Sequence, residues 1–461
     1  MGSYVTGCRH AGNFEIMESE TEMDDRYLKH MENLNHEDAT MRLDSLRRLA
    51  AGIARGDIPE PGKLHYGNNH IHTCYSFSPY SPSKAVWMAY SAGLATAGIV
   101  DHDSVGGARE FIEAGRILGM ATTIGVECRA DFSKTRLNRR HINNPDQNSL
   151  AYMAVHGIPH TRIECIRDFF APYSKERNVR NEQMTKRLNG IMKPFDINLD
   201  FEQDVKSISK SDEGGSITER HILYALSHKL VEKFGKGRLL TSFLRLSLKI
   251  GLNTANEQKL SDSRNIFYEY DLLGILKSNL LEHFYIDAEK ECPDVRDVIA
   301  LCKETGSIAA YAYLGDVEDS VTGDKKRQAF EDDYLEELFE TIKELGFHAL
   351  TYMPARNTSE QLKRVKNLCE KHGMFQISGE DINSPRQMFT CKPMENPEFG
   401  NLVDSGWALV GHELAATEGM RHGMFSDETL RKHPGLEDRI QIYKQTGLLS
   451  KHPDKGDIQP C

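Results

Sequence analysis

His70-Ile71-His72 places two imidazoles two residues apart. In an extended strand, side chains at i and i+2 share a face, with Cα atoms about 6–7 Å apart, so both rings can converge on one cation. Further along, Asp101-His102-Asp103 and Gly125-Val126-Glu127 each close an apolar run. A single His-x-His occurs by chance in most proteins of this size. Three sets of metal-type side chains at the ends of successive apolar runs read instead as a metal centre. Neutral imidazole and carboxylate suit Zn²⁺, Mn²⁺ and Fe²⁺ alike, so the donor set does not choose the metal. A divalent ion lowers the pKa of a coordinated water and polarises a phosphoryl or carbonyl oxygen, which is hydrolytic chemistry.

The elements that must position these residues follow from periodicity. Strands are predicted over 67–72, 96–101, 121–127, 150–156, 307–313, 347–353 and 374–378, most of them separated by segments with helical spacing. Seven strands with crossovers imply an α/β fold built on a parallel sheet or a closed barrel. In such barrels loops from the C-terminal strand ends build the site. Ser81-Pro82 supplies an N-cap and a first-turn proline, and Ser104 precedes a helix that runs to about Gly119. Residues 1–24 read as a loose tail and 25–55 as a packing helix, stopped by Pro59-Glu60-Pro61-Gly62. Between 161 and 306 the rhythm becomes helical, over 217–235, 238–250 and 263–285, too long for one crossover. The stripe Leu239, Leu240, Phe243, Leu244, Leu246, Leu248 and Ile250 is expected to form the core of this insertion, and 207–216 a flexible loop.

On these motifs the chain resembles the PHP (polymerase and histidinol phosphatase) domain family over roughly 64–160 and 300–390. The resemblance implies a distorted, TIM-like (β/α)7 barrel with a helical insertion, and metal-dependent phosphoester hydrolysis. It assigns His70 and His72 to the family's His-x-His, His102 to its Thr-Asp-His, Glu127 to its Gly-x-Glu, and Asp381 to its late Gly-Ser-Asp-x-His. The chain departs from the pattern in several places. No aspartate follows His72 within Thr73–Tyr80, Asn383 stands in place of the terminal histidine, and Ala312-Tyr313-Leu314 replaces Ala-His-Pro. His70, His72, Glu127 and Asp381, joined by His102, are therefore the expected ligands of one divalent ion, with a second ion an open question.

Other residues are assigned roles by position. His102, His156 and Asp103 are the candidate catalytic groups, since a histidine at a strand end can protonate a leaving alkoxide. Asp101 and Asp103 precede a Ser-Val-Gly-Gly turn, where aspartate also serves as a cap. Arg356, His160, His221, Tyr313 and Asn383 are the candidate substrate-binding residues; a guanidinium such as that of Arg356 clamps a phosphate through two parallel hydrogen bonds. His141 belongs more simply to a polar loop, and Gly411-His412-Glu413 to a helix surface.

With 57 Lys plus Arg against 68 Asp plus Glu, a net charge of −11 argues against a general nucleic-acid-binding face. Arg136, Arg139 and Arg140 leave room for a local basic pocket. Nine scattered cysteines without a Cys-x-x-Cys pair suit a reducing cytoplasm, and no apolar run is long enough for a membrane span. The expected organisation is 1–60 tail and packing helix, 61–160 first part of the barrel, 161–290 helical cap, 291–400 second part of the barrel, and 401–461 a C-terminal helical segment. The expected activity is metal-dependent hydrolysis of a small phosphorylated substrate. Hydrolysis of a C–N bond, or non-catalytic metal binding, is the alternative.

Overall fold

Seven strands follow one another in chain order around a nearly closed sheet: β1 (Asn68–Ile71), β2 (Thr96–His102), β3 (Ala121–Asp131), β4 (Leu150–His156), β5 (Ile308–Ala312), β6 (Ala349–Tyr352) and β7 (Phe375–Ser378). The computed structural model describes residues 25–316 and 329–449. The expected tail over 1–24 and the end of the C-terminal segment, 450–461, lie outside the described residues. All four residues of β1 and the first six of β2 are buried, because one face of each strand fills the barrel and the other packs under helices. The result is a distorted TIM-like barrel with helical insertions.

The barrel closes between β1 and the segment after β7. The His72 N–H donates to the Ile382 carbonyl at 2.9 Å, and the Ile382 N–H to the His70 carbonyl at 3.0 Å. Asn68 reinforces the seam: its side-chain oxygen accepts the N–H groups of His70 and Glu380, each at 3.0 Å, while its amide donates to the Glu380 carbonyl at 3.0 Å. Gly379 lets the two backbones meet, since a Cβ there would lie 2.5 Å from His70 Cβ and 2.7 Å from its backbone nitrogen.

One strand breaks the expected parallel order. β1, β2 and β3 are parallel, as are β5, β6 and β7, but β4 runs antiparallel to both β3 and β5. Residues 132–149 form a loop without a helix, and the cap follows β4. Without a helical crossover nothing forces the parallel return. The C-terminal end of β4 therefore lies at the opposite end of the barrel from those of β1, β2 and β3.

The predicted helix over 25–55 is two helices, Asp25–Asn33 and Ala39–Arg55. Asp38 caps the second by accepting the Thr40 N–H, and Gly56, at φ 80°, ends it before the prolines are reached. Buried Arg42 docks this helix onto the barrel through Glu110, which also accepts the Ser83 N–H.

The helix Ile163–Met192 belongs to two cores. Its first half buries Ile163, Ile166 and Phe170 against the barrel. Its second half buries Met184, Leu188 and Met192 with Leu223, Leu226, Leu244, Leu276 and Phe284 of the following helices. Each such side chain contributes about 1.5–3 kcal/mol on full burial, so the cap has a hydrophobic centre of its own. The expected core stripe is only partly internal, because Leu239 and Leu246 face solvent while Leu240, Phe243 and Leu244 are buried. Nor is 207–216 a free loop: Ser216 N–H donates to the Tyr75 carbonyl at 2.7 Å and Ser104 Oγ to the Gly214 carbonyl at 2.7 Å. Among the described residues no helix is long and apolar enough to cross a membrane.

Candidate metal centre and its cavity

The seam and the register bring the ligand-type side chains together. His102 on β2 stands opposite Glu127 on β3. His70 and His72 leave β1 on one face, and the seam at Ile382 sets Asp381 beside them. One ligand atom from each of His70, His72 and Glu127 lies within 4.8 Å of the others. Glu127 Oε2 is 3.7 Å from His70 Nε2, 3.6 Å from His72 Nε2 and 3.1 Å from His102 Nδ1, and Asp381 Oδ1 is 3.3 Å from His72 Nε2. His70, His72 and Glu127 are buried.

These residues fit a divalent metal. Neither His70 Nε2 nor His72 Nε2 makes a hydrogen bond although both are buried, an arrangement that is costly unless a ligand completes it. The electrostatics agree. Burial pushes the Glu127 carboxyl up, but the imidazoles of His70 and His102 outweigh it and hold the group at about 2. Burial pushes His70 down, yet Glu127 and Asp381 raise it to about 9. Asp381 also resists burial, held well below the usual carboxylate range by His72 and His70. The group attracts positive charge, which a divalent ion supplies.

A layer behind the ligands fixes their aim. Asp101, fully buried, accepts the Thr73 N–H, the Thr73 hydroxyl and the Ser76 hydroxyl, each at 2.6 Å. Ser76 Oγ in turn lies 3.3 Å from His72 Nδ1, leaving Nε2 turned to the centre. Asp101 thus serves the ligand loop from behind.

The centre opens into a cavity of about 690 Å³ between barrel and cap. Of the sequence-assigned residues, His70, His102, Asp103, Glu127, Tyr313, Arg356, Asp381 and Asn383 line it. Asn383 donates to Asp381 Oδ1 at 2.6 Å, Tyr313 to Asp332 at 2.6 Å, and Arg356 Nε to the Leu314 carbonyl at 3.1 Å. Asp103 holds a left-handed backbone, φ 48°, with its carboxylate ion-paired to Arg177 of the cap, which makes it an anchor rather than a free acid or base.

Three assigned histidines lie elsewhere. Because β4 is antiparallel, His156 sits inside the barrel a layer below Glu127, next to Gly125, and burial holds it down to about 3. His160, beyond it, lies 3.0 Å from Glu413 at the far end. Glu413 and His412 are buried, not surface residues; Glu413 Oε2 accepts the Ile124 N–H at 2.8 Å. His221 caps its own helix, with Nδ1 accepting the Thr218 N–H at 3.0 Å and its ring edge-on to Phe77. Arg136 and Arg140 pair on the surface with Glu344 and Glu337, and His141 Nδ1 lies 2.9 Å from the Ala329 carbonyl.

The cavity also contains residues that sequence reasoning passed over. Arg220, beside His221, places its guanidinium 5.3 Å from the Phe77 ring centroid, where its charge reaches Asp381. Arg129, Arg177 and Arg180 share the wall next to His102. An arginine one residue from a noted histidine, and Arg-x-x-Arg on a helix, were the only signals available.

No protein-family model matches this chain, and no curated protein matches it in sequence. The solved structures similar to this chain include the following two. One, named as a metal-dependent phosphoesterase, is from Bifidobacterium adolescentis; it is 19% identical, with a TM-score of 0.45 over 72% of this chain and 91% of that one. The other, an amidohydrolase from Chromobacterium violaceum with bound sulfate and no metal, is 15% identical, with a TM-score of 0.45 over 70% of this chain and 89% of that one.

Proposed function

We propose that the protein is a metal-dependent hydrolase of a small phosphoester. The observation that carries this reading is the group of buried His70, His72 and Glu127 with half-buried Asp381, in a cavity lined by fixed cations. Those four side chains would hold the ion. When bound, a divalent ion there supplies an activated water and polarises a phosphoryl oxygen.

The chain's own residues do the rest. Arg220 neutralises and orients the phosphate from the cap side, and Arg356 from the rim. Arg220 suits that role because its Nε is buried without a hydrogen-bond partner. His102 Nδ1, 3.1 Å from Glu127 Oε2, exchanges a proton with water or with the leaving oxygen. Burial chiefly, against the pull of Glu127, lowers His102 to about 3, so its imidazole is neutral. Asn383 and Ser76 keep Asp381 and His72 aimed. Cap residues form one wall of the cavity, opposite the barrel.

Metal-free protein, reloaded separately with Mn²⁺, Zn²⁺ and Fe²⁺, should release inorganic phosphate from a panel of phosphomonoesters. Ammonia and new carboxylate are measured beside it, because a single activated water suits C–N hydrolysis equally well. Metal bound with no phosphate released from any ester rejects the reading.

A further inference from the structure

Arg129 on β3 meets Arg177 and Arg180 of the helix Ile163–Met192 on the cavity wall, where their side chains are 8%, 6% and 6% exposed. Together they share two carboxylates. Glu291 receives Arg129 Nη2 and Arg180 Nε, each at 2.7 Å, and Asp103 is paired with Arg177. Arg180 Nη1 also donates to the Ile286 carbonyl at 2.7 Å, and Arg129 Nη1 to the Tyr285 hydroxyl at 3.3 Å. Arg177 Nε makes no hydrogen bond and lies 3.9 Å from Glu291 Oε1.

Glu219, whose charge reaches Arg129 and Arg180, is paired with Lys277 at 3.4 Å and cancels it. Glu127 belongs to the metal group. Three guanidiniums against two carboxylates thus leave one positive charge in a buried wall. Arginine cannot relieve this by losing a proton. Burying an unmatched charge is among the costlier things a fold can do. The three arginines and Asp103 line the cavity while Glu291 does not, so Glu291 anchors them from behind and leaves their remaining N–H groups to the cavity.

We infer that this wall is an oxyanion subsite that receives a second anionic group of the ligand, a carboxylate or a phosphate, apart from the group at the metal centre. A cavity of about 690 Å³ holds both groups and the scaffold between them. The inference rests on the proposed function only in taking that ligand to be the substrate; the charge imbalance stands without it.

The test uses metal-stripped protein, with inorganic phosphate and malonate as probes and the thermal denaturation midpoint as readout. At least one probe should raise the midpoint, by about 3 °C at a hundredfold excess over its Kd for a chain of this length. Phosphate acting alone identifies a phosphate as the natural group, and malonate alone a carboxylate; both outcomes support the subsite. Arg129→Met leaves two arginines facing two carboxylates, so this variant should melt at or above the unsubstituted protein's midpoint and lose the shift. Glu291→Gln should move the half-maximal shift to about tenfold lower probe concentration. Arg220→Met should keep the shift.

No shift with either probe overturns the subsite. So does an Arg129→Met variant that is destabilised yet keeps its shift, which would make the cluster a structural weld between cap and barrel. A shift lost in Arg220→Met but kept in Arg129→Met overturns it while leaving the proposed function intact. Failure of the metal-loaded protein to hydrolyse esters rejects that function and leaves these binding results standing.

Discussion

Asp101 grips Thr73 twice, through the backbone N–H and through the hydroxyl, each at 2.6 Å. The carboxylate is fully buried, so both bonds act in a low-dielectric setting where they are strong and their loss is felt. Thr73 directly follows His72, and the same carboxylate holds Ser76 against that ring. A side chain that touches no substrate thereby sets the direction of a metal ligand.

Replacing that carboxylate with an amide removes an acceptor while preserving shape. Asp101→Asn should weaken binding of Mn²⁺ or Zn²⁺ by about 10–100-fold, with the fold retained. Calorimetric metal titration measures this directly. An unchanged affinity would mean that the ligand loop is held by other contacts.

Metal content separates the two ends of the barrel. His70→Ala and Glu127→Gln should each abolish stable binding, read by elemental analysis after dialysis, because each removes a member of the close group. His160→Ala should bind metal like the unsubstituted protein and instead lose about 1–3 kcal/mol of stability, since it strips a partner from buried Glu413. Loss of metal from His160→Ala would show that the far end reports on the centre.

Arg220 supplies a third expectation. Arg220→Met should lower kcat/KM for a phosphomonoester by about 10–100-fold, the worth of one charged hydrogen bond of 1.5–3 kcal/mol. Arg220→Lys should recover part of this. A loss of activity that appears equally with an uncharged ester would point to damage in the cap instead.

Stability should also carry a pH signature away from the metal centre. Burial raises the Glu331 carboxyl from 4.5 to about 7, against the Leu314 N–H that donates to it. The folded state therefore holds a proton that the unfolded state releases. That stabilisation is complete below about pH 4.5, declines as pH rises to about 7, and is constant above. At 1.36 kcal/mol per unit the decline is roughly 3 kcal/mol. Denaturation midpoints across this window should fall with pH, and Glu331→Gln should flatten the fall. Equal slopes in both proteins would remove Glu331 as the source.

Local chemistry made much of this molecule readable from its residues. The spacing of His70 and His72 implies a shared direction in any strand, and apolar runs ending at His102 and Glu127 imply neighbouring strand ends. The helix boundaries at Ser81-Pro82 and Gly119 are equally local, because capping depends on a few adjacent residues. Where two local signals competed, the nearer one won: Gly56 ended the first long helix before Pro59 could.

What the linear order could not contain was direction and depth. Reading His156 and His160 as site residues assumed that every strand ends at one mouth, and β4 runs the other way because no helical crossover precedes it. Glu413 looked like surface because its partner, the Ile124 N–H, lies 289 residues away. Arg129, Arg177 and Glu291 are likewise distant in sequence, and only the packing of the cap on the barrel makes one buried cluster of them. Sequence alone determined which side chains can ligate or carry charge, since that is fixed by residue type. The tertiary structure decided which of them share a cavity, since that depends on strand direction and on contacts between segments hundreds of residues apart.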